Sequence, residues 1–157
     1  MKKQKKMMEI IGLLFVVMLL AVGCGKKAAS IDVIEVANEL LEGIPYQDAL
    51  TAIDFDTADM IFNFSDVTIV NGAIFESSGA TAEEIVVLEC ASAEDAKAAK
   101  TALETRVSEQ EESFEDYVPE ELVKLNEAVI VTSGKYAILS VSNEPDEAEK
   151  IIDGFIR

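Results

Sequence analysis

Histidine and tryptophan are both absent from the 157-residue chain, and basic side chains are scarce. Without histidine, the protein has no imidazole base, no histidine-bearing catalytic triad and no histidine-ligated zinc site. Its 13 Lys and Arg residues face 30 Asp and Glu residues, which gives a formal net charge of -17. Because nucleic-acid binding relies on cations that displace counterions from phosphates, this charge argues against a nucleic-acid partner.

Cysteine is rare too, and the usual catalytic motifs are missing. Cys90 ends the apolar run 85–90, which is typical of a strand, so we expect a small buried side chain with no nucleophilic role. The sequence contains no Gly-rich phosphate loop, no Ser-x-x-Lys and no Cys-x-x-Cys. It therefore indicates no cofactor and no catalytic residue.

The first 23 residues have the pattern of a secretory signal peptide. Four lysines within the first six residues precede an uncharged apolar run from 10 to 22. As a helix this run would measure roughly 20 Å, too short for a hydrocarbon core about 30 Å thick. A cleaved signal peptide over 1–23 is therefore favoured over a permanent membrane span.

The segment Leu20 to Cys24 resembles the lipobox of bacterial lipoproteins, with Ala21 where the motif usually has Leu. The resemblance implies that Cys24 becomes the first residue of the mature chain and carries fatty acids such as palmitate. Each buried CH₂ contributes about 0.8 kcal/mol, so two acyl chains anchor a protein stably. We expect a lipidated tether over 24–30 on the extracytoplasmic face of the cell membrane. The alternative is a plain signal peptide with an incidental cysteine.

Residues 31–157 are predicted to form a single α+β domain. Hydrophobic periodicity and capping residues indicate the order α-ββα-ββα, with the strands in an antiparallel sheet of about four and the helices packed on one face. The last two helices begin with similar residues, and either an internal duplication or chance would explain this similarity. The elements expected are a helix over 33–44, strands over 67–75 and 84–91, a helix over 92–117, strands over 128–132 and 136–141, and a helix after Asn143.

Residues 54–64 are expected to form a loop with one helical turn. The spacing of its acidic residues matches only part of a calcium-binding loop. Asp54, Asp56 and Asp59 have partial ligand spacing, but Ala58 occupies the third ligand position and the required Gly and terminal Glu are missing. A solvated acidic loop is the simpler interpretation, so no metal site is predicted.

The long helix is expected to bring its far end to the loop between the first two strands. A helix of about 25 residues spans roughly 37 Å and a strand of eight roughly 27 Å, so the helix overshoots the sheet. Aromatic residues would then cover a polar loop, either to complete the core or to form a recognition surface. The residues of this candidate surface are Ser77, Ser78, Gly79, Thr81, Phe114, Tyr117 and Pro119.

The segments 77–85 and 112–120, together with the lipobox, occur in an order and at separations similar to those of a known family. They resemble the bacterial lipoprotein family called domain of unknown function 4358. The resemblance extends from about Asp32 to Phe155 and implies a cell-envelope lipoprotein of a Gram-positive bacterium. The resemblance implies no activity, cofactor or catalytic residue. The only residue to which it assigns a role is Cys24, as the site of lipid attachment.

Two classes of function agree with these observations. The first is a non-catalytic, membrane-tethered module that binds an envelope protein or a small ligand. The alternative is a hydrolase that cleaves cell-wall glycan with two carboxylates. A cleft with two carboxylates about 5 to 9.5 Å apart, one with a raised pKa, would favour the enzyme, whereas a convex acidic surface would favour the module.

Overall fold

The computed structural model describes residues 30–157. The predicted signal peptide, most of the tether and the predicted lipidation site Cys24 lie outside the described residues. Between residues 30 and 157, no helix has both the length and the apolar character that crossing a membrane requires.

The described chain contains five α-helices and five β-strands, with a short 3₁₀ helix at Pro119–Glu121. The helices are α1 (Val33–Gly43), α2 (Phe55–Phe62), α3 (Ala93–Glu115), α4 (Leu122–Asn126) and α5 (Pro145–Ile156). The strands are β1 (Thr51–Ala52), β2 (Ile69–Glu76), β3 (Glu84–Cys90), β4 (Val129–Ser133) and β5 (Tyr136–Val141).

Local signals in the sequence explain where the main elements begin and turn. The Asp32 carboxylate accepts hydrogen bonds from the first free backbone N–H groups of α1, and the Ser92 hydroxyl does the same for α3. Gly134 has a φ of 57°, a left-handed conformation that glycine adopts at little cost, in the tight turn between β4 and β5. These caps and this hairpin agree with the sequence analysis.

The five strands form one antiparallel sheet in the order β1-β2-β3-β5-β4. Strand β3 lies at the centre, where Glu84 is opposite Glu76 of β2 and Val141 of β5. The predicted α+β class and antiparallel sheet are therefore confirmed. The short edge strand β1 and the short helix α4 are additions to the expected order. The two-turn helix α2 occupies the segment 54–64, where a loop with a single helical turn was expected.

The helices cover both faces of the sheet, which differs from the one-face arrangement that the sequence analysis expected. On one side, Ile85 and Val87 of β3 pack in a core with α1 and α5, and on the other, Val86 and Leu88 pack in a core with α3. The physical reason is the run of four apolar residues from Ile85 to Leu88 at the centre of β3. A strand without polar alternation has no face suited to water, so both of its faces must be covered.

Candidate functional site

A cavity of about 270 Å³ opens at one end of the domain, between the β2–β3 loop and the C-terminal part of α3. Ser77, Gly79 and Thr81 line it from the loop, and Phe114 and Tyr117 line it from the end of the helix. The structure thus brings together five of the seven residues of the candidate recognition surface. Their role in recognition remains a prediction.

The other two residues of that surface lie outside the cavity walls. The backbone N–H of Ser78 donates to Asp48 Oδ2 at 2.8 Å, and the Ser78 hydroxyl donates to the same oxygen. These hydrogen bonds lower the pKa of Asp48. Pro119 begins the 3₁₀ helix that follows α3. Ser78 and Pro119 therefore shape the surroundings of the cavity without lining it.

Two glutamates from neighbouring strands meet at the inner wall of the cavity. Glu76 of β2 and Glu84 of β3 are directly opposite each other in the antiparallel ladder, so both side chains project from the same face of the sheet. Their carboxyl groups are close enough for the charge of Glu76 to raise the pKa of Glu84. Glu76 lines the cavity, whereas Glu84 is fully buried behind it.

Helix α3 supplies one cation for these two carboxyl groups. Arg106 Nε lies 3.2 Å from Glu84 Oε2, and Arg106 Nη2 lies 3.3 Å from Glu76 Oε2. One helical turn later, Gln110 Nε2 donates to Glu84 Oε2 at 3.2 Å. Positions four residues apart lie on the same helix face, which explains how α3 places both side chains over the glutamate pair.

Burial makes the glutamate pair easier to protonate than solvent-exposed glutamates. Burial raises the pKa of Glu84 to about 8; the charge of Glu76 acts in the same direction, and Arg106 opposes both. Burial also raises the pKa of Glu76. Within the described chain, the Oε1 atoms of both glutamates lack a hydrogen-bond donor. The raised pKa of Glu84 favours its protonated form at neutral pH, so we describe the pair as one carboxyl and one carboxylate.

A second buried ionic cluster lies on the other side of the β2–β3 loop. Lys124 Nζ is 3.2 Å from Glu83 Oε1 and 2.9 Å from Glu121 Oε2, and it donates to Gln47 Oε1 at 2.7 Å. The Glu83 carboxylate also accepts the backbone N–H groups of Gln47 and Asp48. This cluster joins three segments of the chain and has a structural role.

Asp54 and Cys90, two other residues considered in the sequence analysis, have structural roles. Asp54 is the N-cap of α2, and its carboxylate accepts the Thr57 N–H at 2.7 Å, which lowers the pKa of Asp54. Among residues 30–157, no group of three or more acidic or cysteine side chains is placed to hold a metal ion. Cys90 is fully buried, and desolvation raises the pKa of its thiol to about 11. The thiol is therefore protonated at neutral pH.

A larger groove of about 570 Å³ runs between α2 and α3. Arg106 belongs to the walls of both the groove and the cavity, and its guanidinium lies 5.6 Å from the centre of the Phe62 ring. The groove is the larger of the two spaces. The cavity is nevertheless the better candidate for a ligand-binding site, because buried polar groups converge on its wall.

The sequence analysis did not identify Glu76, Glu84, Arg106 or Gln110 as site residues. One signal was present, since Gln110 occupies a position on the otherwise apolar stripe of the long helix. A polar residue at a core position requires a polar partner. The pairing of Glu76 with Glu84 depends on the register of two strands, which no local pattern in the sequence defines.

Together, the fold and the cavity define an antiparallel α+β domain with helices on both faces of its sheet and a buried glutamate pair beside an open pocket. The family model of a domain of unknown function, DUF4358, matches residues 53–142. The match covers more than half of the chain, and the protein belongs to this family. Neither a curated protein nor a solved structure matches the chain.

Proposed function

We propose that the protein is a lipid-anchored, non-catalytic binding module of the cell envelope that receives a small ligand in the cavity beside residues 77–81. The observation that carries this proposal is the composition of the cavity. Tyr117 is 77 % exposed at its rim, while Gln110, Arg106 and Glu76 present polar groups from its inner wall. Exposed aromatic surface next to a few convergent polar groups is typical of ligand sites.

The geometry of the glutamate pair favours binding over catalysis. Glycoside hydrolases hold their two carboxyl groups about 5 to 9.5 Å apart, with the substrate between them. Here Glu76 and Glu84 are directly opposite each other on adjacent strands, Glu84 is inaccessible, and Arg106 bonds to both, which leaves no room for a substrate between them. The raised pKa of Glu84 is the one feature that supports the alternative, a hydrolase of cell-wall glycan. Release of soluble glycan by the wild type but not by Glu84→Gln would favour that alternative.

The membrane anchor is proposed from the lipobox. A tether of about six residues reaches at most roughly 20 Å, so the domain would be held close to the lipid surface. Cys24→Ala should abolish metabolic labelling with a fatty acid, because the substitution removes the acylated thiol. Labelling that persists in this variant would contradict the proposed anchor.

Photo-crosslinking in intact cells of the native organism tests the proposed ligand cavity. A benzophenone side chain replaces Tyr117 at the rim of the cavity, and in a control protein it replaces Val123, which is 61 % exposed and lies outside the cavity walls. The proposal predicts a discrete small-molecule adduct at position 117 and none at 123. The same adducts at both positions, or none at position 117, would contradict the proposal.

A further inference from the structure

The two edges of the sheet differ in how they are protected against pairing with another strand. Strand β1 covers one edge with only two residues, and a register shift between Ile69 and Asn71 makes β2 irregular beyond it. There the Asn71 side chain accepts the N–H of Gly72 at 2.9 Å, so this backbone donor is already used. Short edge strands and bulges are two ways in which proteins prevent edge-to-edge association.

The opposite edge, formed by β4, lacks this protection. Residues 129–133 have the sequence Val-Ile-Val-Thr-Ser, without charge, proline or glycine, and their register with β5 is regular. Thr132 is exposed, and Ile130 and Val131 are partly exposed at the margins of the two cores. A β-branched, uncharged strand with a free edge is suited to pairing with a further strand.

The register identifies the backbone groups of β4 that face outward. Cys90 of β3 donates its N–H to the Lys135 carbonyl at 2.8 Å. Because pairing alternates along an antiparallel ladder, the odd-numbered residues of β5 face β3, and its even-numbered residues bond to the odd-numbered residues of β4. The N–H and C=O groups of Ile130 and Thr132 therefore point away from the sheet. Among residues 30–157, these groups have no hydrogen-bond partner.

An antiparallel pair of β4 strands, related by a two-fold axis through Val131, satisfies all of these groups. In this pairing Ile130 of each copy is opposite Thr132 of the other, and both residues have outward backbone groups. Each such pair exchanges two hydrogen bonds. The edge of β4 is therefore complementary to a second copy of itself, as a two-fold interface requires.

The charges at the two ends of β4 agree with this arrangement. Glu127, four residues before Val131, is exposed, and Lys135, four residues after it, has a side chain that is 44 % exposed. Antiparallel pairing about Val131 brings Glu127 of each copy close to Lys135 of the other, and opposite charges across a strand pair are favourable. The Debye length is about 8 Å at physiological ionic strength, so repulsion between the more distant acidic residues is largely screened.

Both copies in such a pair present the same face to one side. Ile31 lies in the core that contains α1 and α5, and its N–H donates to the Tyr136 hydroxyl at 3.2 Å. The described chain therefore begins on this face of the sheet. A two-fold axis perpendicular to the sheet keeps the face on the same side in both copies. The two proposed tethers can then reach one lipid surface.

We propose that the outer edge of β4 pairs with β4 of a second copy of this chain, antiparallel about Val131, so that the two five-stranded sheets become one continuous sheet. No residue of β4 lines the cavity beside residues 77–81, so this interaction goes beyond the proposed ligand binding and does not depend on it. A free strand edge also accepts an extended segment of a different protein. The self-complementary backbone and the opposite end charges favour a second copy.

Disulfide crosslinking of the full chain, purified in detergent, tests the pairing and its register. Val131→Cys places a thiol opposite its own equivalent, in a non-hydrogen-bonded pair with Cα atoms about 4.5 Å apart, which a disulfide can span. Thr132→Cys is the matched control, because the two copies of residue 132 are offset along the strands and lie roughly 8 Å apart, beyond disulfide reach.

Oxidation with copper phenanthroline should give a covalent dimer of Val131→Cys and none of Thr132→Cys. Cys90 is fully buried and does not compete. The wild type, oxidised in the same way, measures any background from Cys24.

A second pair of variants tests the backbone hydrogen bonds in the same detergent. Thr132→Pro removes the outward N–H but no hydrogen bond of the single sheet. Two symmetry-related hydrogen bonds are lost from the dimer, so analytical ultracentrifugation should show a dissociation constant raised by roughly tenfold or more. Thr132→Val keeps the N–H, so its dissociation constant should match that of the wild type. The crosslinking result keeps the inference testable if Thr132→Pro impairs folding.

The other outcomes overturn the inference. Equal crosslinking of Val131→Cys and Thr132→Cys would contradict the register, and a wild type that stays monomeric at all concentrations would contradict the pairing. A dimer that Thr132→Pro leaves unchanged would have its contact elsewhere. Protection of the Ile130 and Thr132 amides from hydrogen exchange by an extended segment of another protein, with no dimer of this chain, would identify a different occupant. Photo-crosslinking at position 117 decides the ligand cavity separately.

Discussion

Replacing Lys124 with Met removes the cation from the buried cluster that joins the β2–β3 loop to α4. Lys124 is 3 % exposed, and its ammonium group contacts Glu83, Glu121 and Gln47. Met has a similar length and fills similar space, so the substitution removes the charge with little change in packing. The two carboxylates then remain buried without a counter-charge.

The expected loss of stability follows from the contacts that remain. Removing one member of a buried ion pair costs about 3 to 5 kcal/mol. Glu83 keeps the N–H groups of Gln47 and Asp48, and Glu121 keeps the N–H of Ala82 at 2.8 Å, so we expect the lower value. A free-energy loss of about 3 kcal/mol corresponds to a fall in Tm of about 10 °C for a domain of this size.

Urea unfolding followed by circular dichroism measures the effect, with Lys135→Met as the matched control. Lys135 pairs with Glu89, but its side chain is 44 % exposed. Exposed pairs contribute between 0 and about 1 kcal/mol. The two lysine substitutions should therefore differ by about 2 kcal/mol or more. Equal stability of the two variants would refute the argument that the Lys124 cluster depends on its charge.

Two further predictions concern pH and salt. The folded protein keeps a proton on the Glu76–Glu84 pair at pH values where an unfolded glutamate has lost it, because the pKa of Glu84 is raised to about 8. Stability should therefore fall as pH rises from about 5 to about 8, by at most about 1.4 kcal/mol per pH unit. Glu84→Gln should flatten this dependence in urea titrations, and an unchanged slope would contradict the raised pKa of Glu84. Sodium chloride and calcium chloride should raise Tm equally at equal ionic strength, since screening of 30 acidic side chains needs no specific site. A calcium effect well beyond the sodium control in calorimetry would point to a dedicated metal site.

Local chemistry made much of the fold predictable from the sequence. Asp32 and Ser92 precede apolar residues at helical spacing, and Gly134 lies between two β-rich segments. Each of these signals acts within a few residues, so the sequence alone reveals it. The approach of Phe114 and Tyr117 to the β2–β3 loop followed from element lengths, because an antiparallel helix must return along its strand.

Features that depend on tertiary arrangement were not predictable in the same way. An amphipathic helix packs equally well on either side of a strand with apolar residues on both faces. No local signal in the sequence therefore indicated on which face of the sheet α1 and α5 pack. Strand β1 has two residues, too few for periodicity to reveal. Glu76, Glu84 and Arg106 are far apart in the chain and meet only through strand register and helix packing.

Native mass spectrometry of the protein extracted from membranes of its own organism tests most directly whether the cavity binds a small ligand. The mass under non-denaturing conditions is compared with the mass after denaturation, for the wild type, for Tyr117→Ala and for the control Val123→Ala. The account predicts a discrete small-molecule mass on the wild type and on Val123→Ala that is lost on denaturation and absent from Tyr117→Ala. Identical masses under both conditions in the wild type, or equal retention of the ligand in Tyr117→Ala, would contradict it.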